Sequence, residues 1–281
     1  MEQKIYLLAS EEKKNELNNI LTPIFESLAI QDFNKSKLTK NDILLVLGGD
    51  GSLNYLSQID FGFTPNILYF PMGTANDFSK TLKIPEINPT DKLILDIIKN
   101  ANQVEIPLML CNEKTFINVA SGGAPARVTN SGSDLLKKAT GKISYYINAI
   151  EQAISPKLHD LEFQVDGNDF KRIKTFGFTV AQGLYAGGGV KVNESATGTF
   201  NDTFNFLTLD SINMTDYISA IIGIQKQPAE LSEETLSYPC KELEIKSLDD
   251  KEIPLKLDGE DYNSKRLKFK KSERKLRFFL Y

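Results

Sequence analysis

The stretch Asp42-Ile-Leu-Leu-Val-Leu47, followed at once by Gly48-Gly-Asp-Gly-Ser52, decides the fold class of this chain. Its continuous apolar run is typical of a central parallel strand that is covered on both faces. The glycines that follow favour a tight turn, which predicts a strand that passes through a loop into a short helix. This succession is how a doubly wound α/β domain is built.

Neighbouring segments repeat the pattern. Lys4–Ala9 and Pro65–Phe70 predict two further buried strands, and Thr90–Asn100 has apolar residues at helical spacing. A helix is also predicted after Ser10, a suitable N-cap. Because strands and helices alternate, we expect an α/β domain over residues 1–115.

Beyond about residue 115 the pattern changes to strands in succession, which predicts a second, mainly antiparallel β domain over residues 116–281. Helical spacing interrupts it at Ile143–Ile154 and at Asp216–Gln225. The predicted strands are Asp160–Val165, Arg172–Ala181, Phe204–Leu209, Glu242–Ser247, Ile253–Leu257, Leu267–Lys270 and Leu276–Phe279.

Composition sets outer limits on function. The chain has 281 residues, of which 41% are hydrophobic and 25% charged, as expected of a globular protein. The net charge of −4 gives little attraction for nucleic acid, so we expect no nucleic-acid partner. Two cysteines without a CxxC motif argue against a disulfide scaffold or structural zinc. We expect a cytoplasmic protein, since no signal peptide or membrane-spanning run is evident.

The glycine loop Gly48–Ser52 carries the strongest chemical signal. Ligands of open α/β sheets bind at the carboxyl ends of strands, where glycines let the backbone approach a phosphate. Asp50 within such a loop would repel a triphosphate unless a cation lay between them, and Mg²⁺ resolves that conflict. The alternative is a tight turn with an aspartate cap.

A second loop, Pro71-Met-Gly-Thr-Ala-Asn-Asp-Phe78, also follows a predicted strand. Gly73 and Thr74 offer N–H and hydroxyl donors, and Asn76 and Asp77 stand where a helix is expected to begin. The alternative is a capped helix start without a ligand. If both loops bind phosphate, their two aspartates should face one space.

A third segment, Leu257-Asp-Gly-Glu-Asp261, follows an alternating apolar run. Taken alone it predicts a hairpin, because Asp-Gly is the strongest short signal for one.

These three segments, together with Phe116-Ile-Asn-Val-Ala-Ser-Gly-Gly123 and Ala186-Gly-Gly-Gly189, resemble the diacylglycerol kinase catalytic family. That family includes bacterial lipid kinases, ceramide kinases and sphingosine kinases. The resemblance covers nearly the whole chain, and it implies a nucleotide-binding α/β domain, a β-rich domain and an active site in the cleft between them.

The resemblance implies that ATP and magnesium (Mg²⁺) are the cofactors and that a lipid with a free hydroxyl is the substrate. Asp50 and Asp77 would organise the metal and the phosphates. Glu260 would be the general base that accepts the proton of the lipid hydroxyl, with Asp258 as the next candidate. The implied ATP-binding residues are Gly48, Gly49, Asp50, Gly51, Ser52, Asn54, Gly73, Thr74 and Asn76.

Two of the places where the sequence departs from the family concern carboxylates. Tyr55 stands where many members have glutamate, and Asn201–Asn205 stands where some members have an acidic segment that supports a second Mg²⁺, so we do not expect that second site. Because the glycine loop also occurs in NAD kinases and phosphofructokinases, these remain alternatives. So does a nucleotide- or lipid-binding regulator that has lost catalysis. The lipid acceptor, a homodimer and a transient membrane contact stay open.

Overall fold

The computed structural model describes residues 3–128, 157–193, 202–210 and 235–281. The chain divides into two compact units, one formed by Met1–Leu108 with Ser272–Tyr281 and the other by Met109–Lys271. The predicted helices Ile143–Ile154 and Asp216–Gln225 lie outside the described residues.

The first unit is an α/β layer structure, as predicted. Its elements are β1 (Ile5–Ala9), α1 (Glu11–Glu16), α2 (Asn18–Leu28), β2 (Gln31–Asp32), β3 (Ile43–Gly48), α3 (Asp50–Gln58), β4 (Asn66–Pro71), α4 (Asp77–Leu82), α5 (Asp91–Asn100) and β5 (Asn102–Cys111), which runs into the second unit.

Strands β2, β1, β3 and β4 lie side by side in that order and are all parallel. Every residue of β3 and β4 is buried, which explains their continuous apolar sequence. Leu21, Ile94 and Ile97 of the helices pack on this sheet. The glycine loop and the Gly73 loop therefore leave the same edge of the sheet, at the carboxyl ends of neighbouring strands.

The helix predicted after Ser10 is two helices. The Ser10 hydroxyl accepts a hydrogen bond from the Lys13 N–H at 3.2 Å, so the predicted N-cap is confirmed. The first helix ends at Glu16, and a second begins at Asn18 after Leu17.

The described residues of the second unit lie mostly in strands. Its elements are β6 (Lys114–Phe116), β7 (Val119–Gly123), α6 (Ala124–Val128), β8 (His159–Val165), β9 (Lys171–Thr175), β10 (Gly177–Ala181), β11 (Tyr185–Ala186), β12 (Val190–Lys191), β13 (Phe204–Leu209), β14 (Thr235–Cys240), β15 (Glu242–Ser247), β16 (Ile253–Leu257), β17 (Glu260–Ser264) and β18 (Arg266–Leu280).

Two antiparallel arrangements enclose the core of this unit. One sheet has the order β14, β13, β10, β7, β16 and β17, and the other joins β18, β15, β8 and β9. Buried aromatic side chains such as Phe163, Phe178 and Phe206 fill the space between them. The predicted antiparallel β domain is thus present.

The observed division into units and the C-terminal strand differ from the sequence prediction. The predicted division at residues 115 and 116 lies seven residues beyond the observed one, and the two predicted C-terminal strands are one strand, β18. Its last part pairs in parallel with β4, through Arg277 and Phe278, so residues 272–281 complete the first unit. A local pattern shows the strand but not its partner, which lies about 200 residues earlier.

Arg274 ties the C-terminal strand to the first unit. Its guanidinium donates to the backbone carbonyl of Ser57 at 2.9 Å and to that of Ile59. These carbonyls lie at the carboxyl end of α3, where the helix leaves its last acceptors unpaired, so a cation is favourable there. The helix that begins at Asp50 is therefore held at its far end by the returning chain.

Among the described residues, no helix is long and apolar enough to span a membrane.

Candidate active site

The two glycine loops of the first unit touch through their backbones. A Cβ added to Gly49 would come within 2.7 Å of the Gly73 Cα, and one added to Gly73 would come within 2.5 Å of the Gly49 Cα. Side chains cannot occupy that space. The loops are also joined by a hydrogen bond from the Met72 N–H to the Gly48 carbonyl at 2.8 Å. Glycine at these positions is thus required by the close approach of two backbone segments, not by a positive φ.

Asp50 links the first loop to the helix that follows the second. Its Oδ2 accepts the Asp77 N–H at 3.0 Å, and its Oδ1 accepts the Phe78 N–H at 3.0 Å. The N-cap of that helix, Asn76, makes no side-chain cap bond, so Asp50 supplies the cap from another part of the chain. The structure therefore brings the Asp50 carboxylate to the backbone of Asp77, and that their two carboxylates face one space stays a prediction.

Asp77 itself is buried, with 3% of its surface exposed. The Lys80 ammonium lies 3.7 Å from its Oδ1 and also donates to the Ala75 carbonyl. No sequence motif indicated Lys80, although its spacing of three residues from Asp77 on a helix predicts such a pair. The Lys80 ammonium therefore places a positive charge beside the second loop.

Asn76 shapes the second loop from within. It is buried and left-handed, with φ of 51°, and its Oδ1 accepts the Gly73 N–H at 2.9 Å. Its Nδ2 donates to the Gly73 carbonyl and to the Glu86 carboxylate, both at 2.9 Å. Glu86 is a second residue that the sequence did not indicate. The amide is thus already engaged by protein groups on both of its polar atoms.

The other predicted ATP-binding residues differ in how far they are exposed to solvent. Gly51, Gly73 and Thr74 are exposed, and a Cβ on Gly51 would meet nothing within 4 Å. Ser52 lies against Gly48, where an added Cβ would meet its Oγ at 2.0 Å. Asn54 is buried in α3, and its Oδ1 accepts from the Gln58 amide at 3.3 Å. The exposed residues of this set are therefore Gly51, Gly73 and Thr74, and the Gly73 N–H is already bonded to Asn76.

A buried phenol lies near these carboxylates. Burial raises the pKa of Tyr69 well above its usual range, and the negative charges of Asp50 and Glu86 add to the rise. The hydroxyl therefore stays protonated. It has no hydrogen-bond partner within the described part of the chain.

Glu260 belongs to the second unit. It is the first residue of β17 and is exposed, opposite Leu257 across the predicted Asp-Gly hairpin, which is confirmed. Both turn residues have positive φ, 47° for Asp258 and 98° for Gly259, as such hairpins require. The role of Glu260 as a base stays a prediction.

Asp258 is engaged by the backbone that precedes and begins β7. Its carboxylate accepts the N–H groups of Ile117 at 2.6 Å and of Asn118 and Val119 at 2.9 Å each. Its own N–H donates to the Val119 carbonyl at 2.9 Å. Asp258 thus fixes the hairpin turn to the body of the second unit.

Comparison with known proteins supports the resemblance predicted from the loops. Residues 9–111 match the model of the diacylglycerol kinase catalytic domain. A diacylglycerol kinase of Staphylococcus aureus (strain JH9) is 34% identical over 133 residues, or 46% of this chain and 41% of that protein. The match thus spans about two fifths of the relative's length. The match to the family model ends at residue 111, well before Glu260.

Solved structures share the fold over the whole chain. A diacylglycerol kinase of Bacillus anthracis str. Sterne has a TM-score of 0.66 at 17% identity and covers 99% of this chain and 97% of its own. An NAD kinase from Archaeoglobus fulgidus, solved in complex with ATP, has a TM-score of 0.56 at 14% identity and covers 99% and 83%. At such identities the likeness establishes the fold alone, and it confirms the predicted fold class.

Proposed function

We propose that this chain is an ATP-dependent lipid kinase, which transfers the γ-phosphate of Mg-ATP to a hydroxyl of a small lipid such as diacylglycerol or phosphatidylglycerol. The observation that carries the proposal is the backbone contact between the Gly49 and Gly73 loops, with Asp50 and Asp77 beside it. This contact lies within the segment that matches the diacylglycerol kinase catalytic domain.

The residues of the first unit fit a nucleotide and its metal. The two backbones approach too closely for a Cβ, and the exposed Thr74 follows directly with an N–H and a hydroxyl to offer. The Gly73 N–H is already bonded to Asn76 Oδ1. No group of three or more histidine, cysteine or acidic side chains that could hold a metal occurs among the described residues. Mg²⁺ usually takes one or two protein carboxylates and completes its shell with phosphates and water, and Asp50 and Asp77 would be those carboxylates.

The site residues have separate proposed roles. We assign the phosphates to the loops Gly48–Ser52 and Gly73–Asn76, with Asn76 as the residue that shapes the second loop. Asp50 and Asp77 would hold the cation, which would neutralise charge on the phosphates. Each Asp50 oxygen accepts one N–H and keeps a further lone pair for that purpose.

Glu260 accepts the proton when the lipid hydroxyl attacks. The O–H bond breaks, the alcohol oxygen bonds to the γ-phosphorus, and ADP leaves with the electrons of the broken P–O bond. An exposed glutamate on a firmly held turn suits this role, because a base needs access to its substrate and a fixed position. Asp258 is the weaker candidate because three backbone N–H groups occupy its carboxylate.

A panel of acceptors tests the proposal. The purified protein is incubated with γ-labelled ATP, Mg²⁺ and, separately, diacylglycerol, phosphatidylglycerol, a sphingoid base, NAD or fructose 6-phosphate, and the labelled product is identified. We expect label on a lipid, and none without Mg²⁺. Label on NAD would favour the NAD kinase alternative, with which the chain shares its fold. ATP binding without any transfer would favour a regulator without catalysis.

A lipid acceptor implies contact with a bilayer. We propose a cytoplasmic enzyme that meets the membrane transiently. Mixing it with vesicles of phosphatidylglycerol and phosphatidylcholine, and measuring co-sedimentation against salt, tests this. No co-sedimentation with either kind of vesicle, even at low salt, would contradict the membrane contact.

A further inference from the structure

Lys256 is a buried lysine with two polar contacts. Only 6% of its surface is exposed. This is unusual, because Lys256 alternates along β16 with Leu255 and Leu257, which belong to the core, and so lies on the opposite face of the strand. Its ammonium donates to the Gly259 carbonyl at 3.0 Å and lies 3.0 Å from Asp261 Oδ1. Burying a charged group costs free energy unless such partners are present. We therefore ask which of the two contacts gives this lysine a function.

The ion pair does not supply that function. The Asp261 side chain is 72% exposed, and ion pairs with an exposed carboxylate contribute little because water and salt screen them. The bond to Gly259 is different. It fixes the carbonyl of the peptide that joins Gly259 to Glu260, which lies at the tip of a hairpin.

The hairpin turn is thereby held from two directions. Asp258 binds the turn to the backbone of residues 117–119, and Lys256 binds the carbonyl of the peptide that joins Gly259 to Glu260. On β17 the Tyr262 hydroxyl accepts a bond from the Asn112 amide at 2.9 Å. Hairpin tips are usually among the mobile parts of a protein, but this one is anchored at Asp258 and at the Gly259 carbonyl, just before Glu260.

We propose that Lys256 is a positioning residue for Glu260. The inference rests on the proposed function, in which Glu260 is the general base. A base must lie within hydrogen-bond reach of the proton that it removes, and a displacement of about 1 Å can cost about 10²-fold in rate. The lysine acts through the Gly259 peptide and touches no substrate.

Two measurements on one set of variants test the proposal. Lys256→Met removes the ammonium and keeps a side chain of similar length. Asp261→Asn removes only the charge of the ion-pair partner, and Lys265→Met makes the same substitution at an exposed lysine of the same unit, paired with Asp250. Amide hydrogen exchange of residues 257–262 reports the turn. Lipid-dependent kcat and the KM for ATP report catalysis.

We expect exchange in the turn to rise several-fold in Lys256→Met, and kcat to fall about ten- to hundredfold with an unchanged KM for ATP. Asp261→Asn and Lys265→Met should behave like the wild type in both assays. Unchanged exchange and kcat in a folded Lys256→Met protein would overturn the proposal. So would an equal change in Asp261→Asn, which would make the ion pair the cause.

The exchange measurement separates this proposal from the proposed function. If the wild type transfers no phosphate, the kinase assignment fails, while a loosened turn in Lys256→Met still supports the anchoring step. If Lys256→Met does not fold, Lys256→Gln takes its place, because its amide is neutral and too short to keep the ammonium's contacts. Turn exchange equal to that of the wild type in Lys256→Gln would then contradict the inference.

Discussion

Asp50 has two roles at once in our account, a cap for α4 and a ligand for the metal. Asp50→Asn keeps one acceptor oxygen and places an amide against the other N–H, so we expect a loss of about 1 kcal/mol in unfolding free energy. Lipid phosphorylation should fall at least about a hundredfold, since metal coordination supplies several kcal/mol to such reactions.

Thr90→Ala is the matched control for Asp50→Asn. The Thr90 hydroxyl caps α5 by accepting the Leu93 N–H at 3.2 Å, and its loss should also cost about 1 kcal/mol. Thermal melting and turnover are measured for both variants. If activity falls as far in Thr90→Ala as in Asp50→Asn, Asp50 matters only as a cap.

Asp42 should make the first unit sensitive to acid. Burial raises the pKa of this carboxyl, but bonds from the Thr39 hydroxyl and from the Lys4 and Thr39 N–H groups outweigh it, and the net pKa is below the ordinary 3.8. A lowered native pKa stabilises the fold above pH 3.8, and that stability is lost as the pH falls through the native value.

Denaturant unfolding at pH 7 and at about pH 3 measures this contribution for wild type and Asp42→Asn. We expect the wild type to lose more stability on acidification than the variant, whose side chain does not titrate. Equal losses in the two proteins would show that other carboxylates carry the acid sensitivity.

At the scale of elements, the contact between the two glycine loops is the feature most open to test. Gly73→Ala places a methyl group 2.5 Å from the Gly49 Cα and should cost about 1–3 kcal/mol while weakening ATP binding. Gly51→Ala controls for stability, because its methyl group would meet nothing within 4 Å. Calorimetric melting and ATP titration check both, and wild-type stability in Gly73→Ala would contradict the close approach.

Arg274 offers a second test at this scale. Arg274→Met removes a guanidinium from the carbonyls of Ser57 and Ile59, and we expect a loss of about 1–3 kcal/mol. Lys275→Met, which breaks only an exposed pair with Glu105, should cost about 0–1 kcal/mol. Urea unfolding compares the two, and equal losses would mean that the bonds of Arg274 contribute nothing beyond a surface charge.

Local patterns predicted the parts of the fold that depend on local chemistry. The buried strands β3 and β4, the glycine loops and the Asp-Gly hairpin follow from residues that are adjacent in sequence. The cap that Asp50 makes on α4 joins residues 27 positions apart, and the anchoring of Asp258 spans about 140 positions. No periodicity encodes such contacts. The return of β18 to β4 was missed for the same reason.

At the scale of the whole molecule, the proposed function draws on residues of both units. In our account the first unit holds the nucleotide through its loops, and the second supplies Glu260. The family match covers only the first of these, so the assignment of Glu260 depends on its place in the hairpin and on its resemblance to the family motif.

The most direct test of the central claim compares wild type and Glu260→Gln, with Asp261→Asn as the neighbouring control. Lipid-dependent turnover and ATP affinity are measured on the same preparations. The account predicts that Glu260→Gln lowers turnover about 10²–10⁴-fold, since the amide cannot accept the proton, and leaves ATP affinity unchanged. Turnover within a few-fold of the wild type in Glu260→Gln would contradict it, because the base would then lie elsewhere.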